Sequence, residues 1–255
     1  MNALRFLSTS LGVSLGWLAV ASVHPRLASI ASGPSAEVAT PTDLEVQQNA
    51  VDVGSFTILR EGARVGREQF SLRRVGSPDG IEFELRAESA IGERRLATRL
   101  ETDSAGTPMR YSAEVREGTT VVLKLGGQRV RGRFATLART DRGEAAREYL
   151  LPAGTVVLED ESFHQAALLW LSRERRMDVA RSALAPMNNS ERSIRVTLDV
   201  ASDNVVVAGV RLAAARWIVD DSRNRRVIWV NPDGRILRVT VPALGLEAVR
   251  DDVPR

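Results

Sequence analysis

Residues 216–242, RWIVDDSRNRRVIWVNPDGRILRVTVP, contain three apolar runs separated by two turn sequences. The runs are rich in Val, Ile and Trp, which favour β-strands, whereas the turns are rich in Asp, Asn, Pro and Gly. Short apolar runs joined by such turns are typical of antiparallel strands. The stretch therefore predicts three consecutive antiparallel strands, and much of the remaining chain repeats the same pattern.

Alternation of apolar and charged residues predicts the two faces of these strands. The alternation is clearest in residues 81–87. The apolar residues there are Ile81, Phe83, Leu85 and Ala87, and the charged residues between them are Glu82, Glu84 and Arg86. A period of two predicts one buried and one solvent-facing side, so we expect Phe83 in the core and Glu84 at the surface. Roughly a dozen such strands with short connections predict a mainly β protein, whose large antiparallel sheet curves into a half-barrel or open barrel.

One segment has helical rather than strand character. Residues 160–173, DESFHQAALLWLSR, begin with acidic side chains and end with an arginine, as the helix dipole favours. Phe163, Ala167, Trp170 and Leu171 would share one face of a helix there. The sequence therefore predicts one main α-helix near residues 160–173, which plugs the concave side of the sheet or covers one end of it.

The N-terminal residues predict export. In residues 1–31 a single positive residue, Arg5, precedes a moderately apolar segment, and Ala19-Val20-Ala21 and Ser29-Ile30-Ala31 both fit the small-residue cleavage rule. An uncleaved membrane anchor is the alternative, although serines and a glycine interrupt the apolar run. Residues 32–50 read as a flexible linker and residues 51–255 as a single antiparallel β domain. We expect a periplasmic or secreted protein with no stable transmembrane span after the signal peptide is removed.

Composition excludes several chemistries. The 255 residues include no cysteine, which rules out disulfides, thiolate metal sites, a cysteine nucleophile and a lipid-modified N-terminal cysteine. The net charge is only +3, and Lys124 is the only lysine, so the high pI reflects an excess of arginine. The sequence predicts no nucleic-acid partner, no cofactor and no metal. It leaves the oligomeric state open.

The densest group of reactive side chains surrounds the one histidine that lies outside the predicted signal peptide, His164. In a helix, Asp160 and Glu161 would share a face with His164. These three are the candidates for an alternative function as a hydrolase or a hard-cation site. No G-x-S-x-G nucleophile elbow supports a Ser-His-Asp triad, and helix-capping carboxylates with a hydrogen-bonded histidine explain the same residues. We therefore predict no catalytic residue.

Two turn-and-strand elements resemble those of a known family. Residues 103–111, DSAGTPMRY, and 231–237, NPDGRIL, resemble the D-x-x-G-x-P and D-x-x-G-x-I-L turns of the periplasmic half-barrel family that includes the lipoprotein carriers LolA and LolB and the sensor protein RseB. The resemblance covers about residues 51–250. It implies a long curved antiparallel sheet with helix cover over a concave apolar face. The chain departs from the carriers in having one predicted helix and no lipid-attachment cysteine.

The resulting functional hypothesis is an exported, non-enzymatic envelope protein. It would bind a lipid, an acyl chain or a lipoprotein-like partner in an apolar groove of the curved sheet. The large apolar side chains that would line this groove are Phe83, Leu85, Tyr111, Phe134, Trp170, Trp217 and Trp229. A hydrolase and a structural or interaction module with a solid core are the alternatives. An apolar cavity of several hundred Å3 would favour binding over the solid core.

Overall fold

The computed structural model describes residues 49–171, 178–221 and 223–254. All of them belong to the compact unit Pro41–Arg255. The predicted signal peptide and nearly all of the predicted linker lie outside the described residues, as do residues 172–173 at the end of the predicted helix. None of the helices in the described ranges is long and apolar enough to span a membrane.

Fifteen strands in the described part of the chain form one sheet. Their bounds are β1 Ala50–Arg60, β2 Ala63–Arg74, β3 Phe83–Ile91, β4 Arg94–Thr102, β5 Pro108–Glu117, β6 Thr120–Val130, β7 Arg133–Thr140, β8 Gly143–Leu150, β9 Val156–Val157, β10 Asp178–Ala185, β11 Ser190–Val207, β12 Val210–Asp220, β13 Arg225–Val230, β14 Ile236–Val241 and β15 Leu246–Arg250. The order across the sheet is β8-β7-β6-β5-β4-β3-β2-β1-β15-β14-β13-β12-β11-β10-β9. The predicted mainly β fold is confirmed.

The sheet is open, curved and almost entirely antiparallel. Strands β1–β8 form a meander, and β1 also pairs with β15, so the first and last strands meet in the middle of the sheet. The short β9 pairs in parallel with β10, whereas every other neighbouring pair is antiparallel. The hydroxyl of Tyr149, on the edge strand β8, donates to Asn189, which follows β10 near the opposite end. The curvature therefore brings the two ends of the sheet together.

Residues 216–242 form the three predicted strands, and the turns between them use the expected Asp and Asn side chains. The Oδ1 atom of Asp221 accepts from the backbone N–H groups of Arg223 and Asn224, both at 2.6 Å, between β12 and β13. Between β13 and β14, Oδ1 of Asn231 accepts from the N–H group of Arg235 at 2.8 Å. Short polar side chains thus stabilise both turns locally.

Inward-facing side chains of the strands form one large hydrophobic core, in which Phe83 is buried as predicted. The prediction for Glu84 is wrong, because this residue is also buried. It lies on the outer face, but Nε of Arg86 and Nη2 of Arg99 approach its carboxylate at 2.6 and 2.7 Å and cover it. Alternation correctly assigned the face of Glu84, whereas neighbouring arginines decide its exposure.

A second, smaller core lies on the opposite face of the C-terminal half of the sheet. It comprises the buried side chains of Val205, Val207, Ala214 and Leu237, with Leu212 and Trp229 packed against them. The pairing of the long strand β11 with β12 shifts register between Leu198 and Val200 and again between Val200 and Asp203. Such irregularities bend a strand. The end of the β11–β12 hairpin therefore packs over β13 and β14 and covers their outer face.

The predicted helix is present, but it is shorter and of a different type. It is a 3-10 helix, His164–Trp170, and all seven of its side chains are buried. The bond from the N–H group of Ala166 to the carbonyl of Phe163, at 3.3 Å, has the i→i+3 spacing of this helix type. Asp160 and Glu161 lie before its start and do not cap it. Two further short 3-10 helices are Pro186–Asn188 and Pro242–Leu244.

Candidate ligand-binding site

A buried segment crosses the concave face of the sheet. Residues 156–171, which we call the plug, comprise β9 and the 3-10 helix. Its apolar side chains belong to the same core cluster as those of both halves of the sheet. At one end, the ring of Trp170 packs edge-on against that of Trp217 on β12, with ring centroids 6.0 Å apart. The plug therefore takes the place that the sequence assigned to a helix on the concave side.

Glu68 of β2 anchors the middle of the plug. Its carboxylate accepts from the backbone N–H groups of Phe163 at 3.2 Å and His164 at 2.8 Å. Nδ1 of His164 lies 3.0 Å from Oε1 of Glu68, and Nε2 lies 3.5 Å from the hydroxyl of Thr98 on β4. Glu68, His164 and Thr98 are all buried. In this position the three side chains fasten the plug to the sheet.

His164 is not brought together with either of its predicted partners. The carboxylate of Asp160 forms a two-pronged ion pair with Arg192, with N–O distances of 2.7 and 3.1 Å. Burial alone would raise the pKa of Asp160, but the bonds to Arg192 outweigh it and lower that pKa. Glu161 lies 3.2 Å from Nε of Arg94. The predicted grouping of Asp160, Glu161 and His164 depended on a helix that begins only at residue 164.

Sequence reasoning missed Glu68 altogether. Its position in the sequence could have identified it, because Glu68 lies two residues before Phe70 and therefore points to the same inward face of β2. A carboxylate at an inward position needs a buried partner. The sequence alone does not show that the partner lies in the plug, almost a hundred residues away. Within the described ranges, no group of three or more His, Asp or Glu side chains is placed to hold a metal ion.

The carboxyl group of Glu159, also in the plug, is completely buried. Its Oε1 atom accepts from the backbone N–H group of Met187 at 2.9 Å and lies 3.4 Å from the hydroxyl of Tyr111 on β5. Its Oε2 atom has no hydrogen-bond partner among the described residues. Burial raises the pKa of Glu159 to about 7, with a further contribution from the charge of Asp160. This carboxyl group therefore titrates near neutrality inside the protein.

Beyond the end of the plug, the concave face holds a pocket of about 360 Å3. Trp170 and Trp217 lie at this pocket, and the alanines of β12 leave room because their side chains are small. Its full lining is Trp170, Ala201, Ser202, Ala213, Ala214, Ala215, Trp217, Val230, Asn231 and Pro232. The pocket thus joins an aromatic wall, a run of small apolar side chains and a few polar groups.

The structure brings two of the seven predicted groove residues to this pocket, namely Trp170 and Trp217. Four others are buried in the large core and do not line it: Phe83, Leu85, Tyr111 and Phe134. Trp229 lies across the sheet in the smaller core. There its indole N–H group donates to Asp203 at 3.0 Å, and the guanidinium of Arg238 lies 4.9 Å from the ring centroid. The predicted set therefore divides among a pocket, a filled core and the opposite face.

A larger groove of about 700 Å3 crosses strands β2–β6 on the outer face. Charged side chains form part of its lining. Arg86 and Arg99 pair with Glu84, and the carboxylate of Glu114 lies 3.4 Å from Nζ of Lys124. These charges distinguish the groove from the pocket at Trp170 and Trp217, whose lining residues are all uncharged.

Comparisons with known proteins leave the function open. No protein-family model and no curated protein sequence matches the chain. Among solved structures, the chain is similar to the crystal structure of a β-barrel-like protein of domain of unknown function DUF1849 from Brucella abortus. The sequence identity is 10%, the match covers 80% of this chain and 96% of that chain, and the TM-score is 0.49. A function must therefore be inferred from the chain's own residues.

Proposed function

We propose that the protein is exported, is not an enzyme, and binds the acyl chain of a lipid or lipidated partner in the pocket that Trp170 and Trp217 line. The observation that supports this is the concave pocket of about 360 Å3 beyond the end of the plug. Sites for small molecules typically have volumes of about 300–1,000 Å3 and are mostly apolar with a few polar groups. A slender chain suits the narrow space that the alanines of β12 leave.

The lining explains how such a ligand would be held. Each methylene group removed from water contributes about 0.8 kcal/mol, so a few buried methylenes suffice for measurable binding. The two tryptophan rings give a large, stiff apolar wall. Ser202, at the same pocket, presents a hydroxyl to the polar end of the ligand. The remaining concave face is filled by the plug, which limits the ligand to a short apolar segment.

Filling the pocket should weaken binding. We expect palmitate to change the tryptophan fluorescence of the wild-type protein saturably, because Trp170 and Trp217 line the pocket. Ala213→Phe places a ring in that space and should weaken palmitate binding by about tenfold or more, which corresponds to the loss of about two buried methylenes. The matched control is Ala146→Phe on the edge strand β8, where the alanine is exposed and remote from the pocket.

The outcomes separate the proposal from the solid-core alternative. Native mass spectrometry of the mature protein incubated with a lipid extract provides a second measurement and identifies the bound mass. A wild-type protein that retains no lipid and shows no fluorescence response would identify a module without a ligand. Equal palmitate binding by wild-type, Ala213→Phe and Ala146→Phe proteins would place the ligand elsewhere.

Export carries its own prediction. We expect the mature protein to lack residues 1–31, because small residues at the signal-peptidase positions follow the apolar segment. N-terminal sequencing of protein recovered from the periplasmic fraction should give a start at or near Ser32. An intact Met1 in a membrane fraction would instead identify an anchored protein, and the acyl-binding proposal would then apply to a membrane-tethered domain.

A further inference from the structure

Three hairpin turns of this protein share one backbone conformation but differ in chemistry. The central residue pairs have positive φ values at both positions: 50° and 83° at Glu61-Gly62, 49° and 79° at Arg131-Gly132, and 49° and 79° at Ala208-Gly209. Such turns favour Asn, Asp or Gly at the first position, because other residues are strained there. All three first residues are strained in this way. Glu61 and Arg131 have charged side chains that water can solvate, whereas Ala208 has only a methyl group.

The residues around Ala208 are also apolar and exposed. The tip of the β11–β12 hairpin, residues 206–210, reads VVAGV. Val206 is 57% exposed and Val210 is 47% exposed, although Val207 between them is fully buried in the smaller core. A strained alanine between two exposed valines is unusual at a hairpin tip, where polar turn residues are normal.

The two exposed valines lie on opposite faces of the tip. Val210 pairs with the buried Val207, whereas Val206 pairs with Arg211. Because successive residues of a strand point to opposite faces, Val206 and Val210 point away from each other. A partner that covers only one face of the hairpin would leave one valine in water. An apolar medium that surrounds the tip would cover both.

We infer that the β11–β12 tip inserts into the interfacial region of a lipid bilayer that contains anionic lipids. The bilayer would remove the valine side chains on both faces of the tip from water. The exposed Arg211 beside them would be attracted to anionic headgroups. This inference extends the proposed function, since Ala213 and Ala215 of the acyl pocket follow the tip on the same strand. At about 3.4 Å per residue, Ala213 lies about 14 Å along the strand from Gly209 of the turn. Insertion of the tip would bring the pocket close to the lipids from which it is loaded.

Vesicle flotation with the full mature chain tests the inference. Vesicles of phosphatidylcholine with one third phosphatidylglycerol should carry the wild-type protein, and vesicles of phosphatidylcholine alone should carry less of it. Val206→Ser/Val210→Ser should lower the bound-to-free ratio by about tenfold. Arg211→Gln should lower binding only to the anionic vesicles. The matched control is Val130→Ser, since Val130 is also 43% exposed but lies at the end of β6.

Ala208→Asn separates a membrane contact from a merely structural turn. Asparagine suits the left-handed conformation, so this variant should melt at a higher temperature than the wild type while binding vesicles less well. The inference is overturned if wild-type protein ignores both kinds of vesicle. It is also overturned if the double serine variant floats as well as Val130→Ser, or if Ala208→Asn leaves flotation unchanged, as expected for a protein-docking or purely structural tip.

A palmitate titration without vesicles distinguishes failure of this inference from failure of the proposed function. The double serine variant should bind palmitate like the wild type, because neither valine lines the pocket. Flotation without palmitate binding would support the tip and refute the acyl pocket. Palmitate binding without flotation would support the pocket and refute the tip.

Discussion

Replacing Arg250 with Met should lower the free energy of unfolding by about 3–5 kcal/mol, because it leaves a buried carboxylate without its partner. Arg250 is among the largest fully buried side chains of the described residues. Its Nη1 and Nη2 atoms approach the two oxygens of Asp52 at 2.9 and 2.8 Å, and Nη2 also donates to the carbonyl of Val53 at 2.9 Å. The guanidinium lies 5.4 Å from the ring centroid of Phe70. This one side chain therefore joins β15 to β1 at the seam where the first and last strands meet.

Urea denaturation of a double-mutant cycle measures the effect. Asp52→Leu/Arg250→Met should recover most of the lost stability, since replacing a buried ion pair by apolar side chains is often close to neutral. Arg225→Met provides the control, because the ion pair of Arg225 with Asp220 at 3.3 Å is exposed on both sides and should contribute at most about 1 kcal/mol. A single Arg250→Met that costs no more than this control, or a double variant that shows no coupling, would contradict the assigned role.

The strands were predictable because local sequence decides them. Alternation placed Phe83 in the core, and the polar turns of residues 216–242 formed as their Asp and Asn side chains suggested. Both features depend only on neighbours within a few residues. Glu84 shows where this reasoning stops: its burial depends on Arg99, which belongs to the next strand. A period of two assigns a side chain to a face but does not reveal what covers that face.

The candidate site was predictable only in part, because its contacts join distant segments. Trp170 and Trp217, two of the side chains predicted to line a groove, contact each other and line the pocket. Trp229 lies in the continuous apolar run VIWV, where no alternation indicates its face. The side chains that pack against it come from the β11–β12 hairpin and from β14, which are not its neighbours in the sequence. The helix start was misplaced because Asp160 is held by an arginine of β11 rather than by the helix N-terminus.

The plug connects the sheet to the pocket, so groups that hold it determine how well the pocket is maintained. Glu68 binds its middle from β2, and Trp170 at its end forms one wall of the pocket. Glu159 holds its beginning between β5 and the turn after β10. Burial raises the pKa of Glu159 to about 7, so its charge changes near neutral pH. The hold of Glu159 on the plug should therefore depend on pH.

Glu159 should make the protein less stable as the pH rises from about 4.5 to above 7. Burial, followed by the charge of Asp160, raises the pKa of Glu159 from 4.5 to about 7, although bonds from Met187 and Tyr111 and the charge of Arg192 oppose this. The folded protein therefore retains a proton that the unfolded chain has already lost. Its stabilising contribution is complete below about pH 4.5 and is lost as the pH passes through about 7. The pKa difference corresponds to about 3 kcal/mol.

Glu159→Gln removes this titration while keeping the size of the side chain and a neutral hydrogen-bonding group. Urea melts at several pH values between 4.5 and 8 measure the free energy of unfolding of both proteins. The variant should become more stable relative to the wild type as the pH rises, by up to about 3 kcal/mol at pH 8. Glu161→Gln is the matched control, because it makes the same substitution two residues away at a partly exposed carboxylate beside Arg94. A difference between wild type and Glu159→Gln that does not change with pH would mean that Glu159 is solvated in the folded protein. If the wild type instead became more stable relative to the variant as the pH rises, the charge of Arg192, rather than burial, would control the carboxyl group.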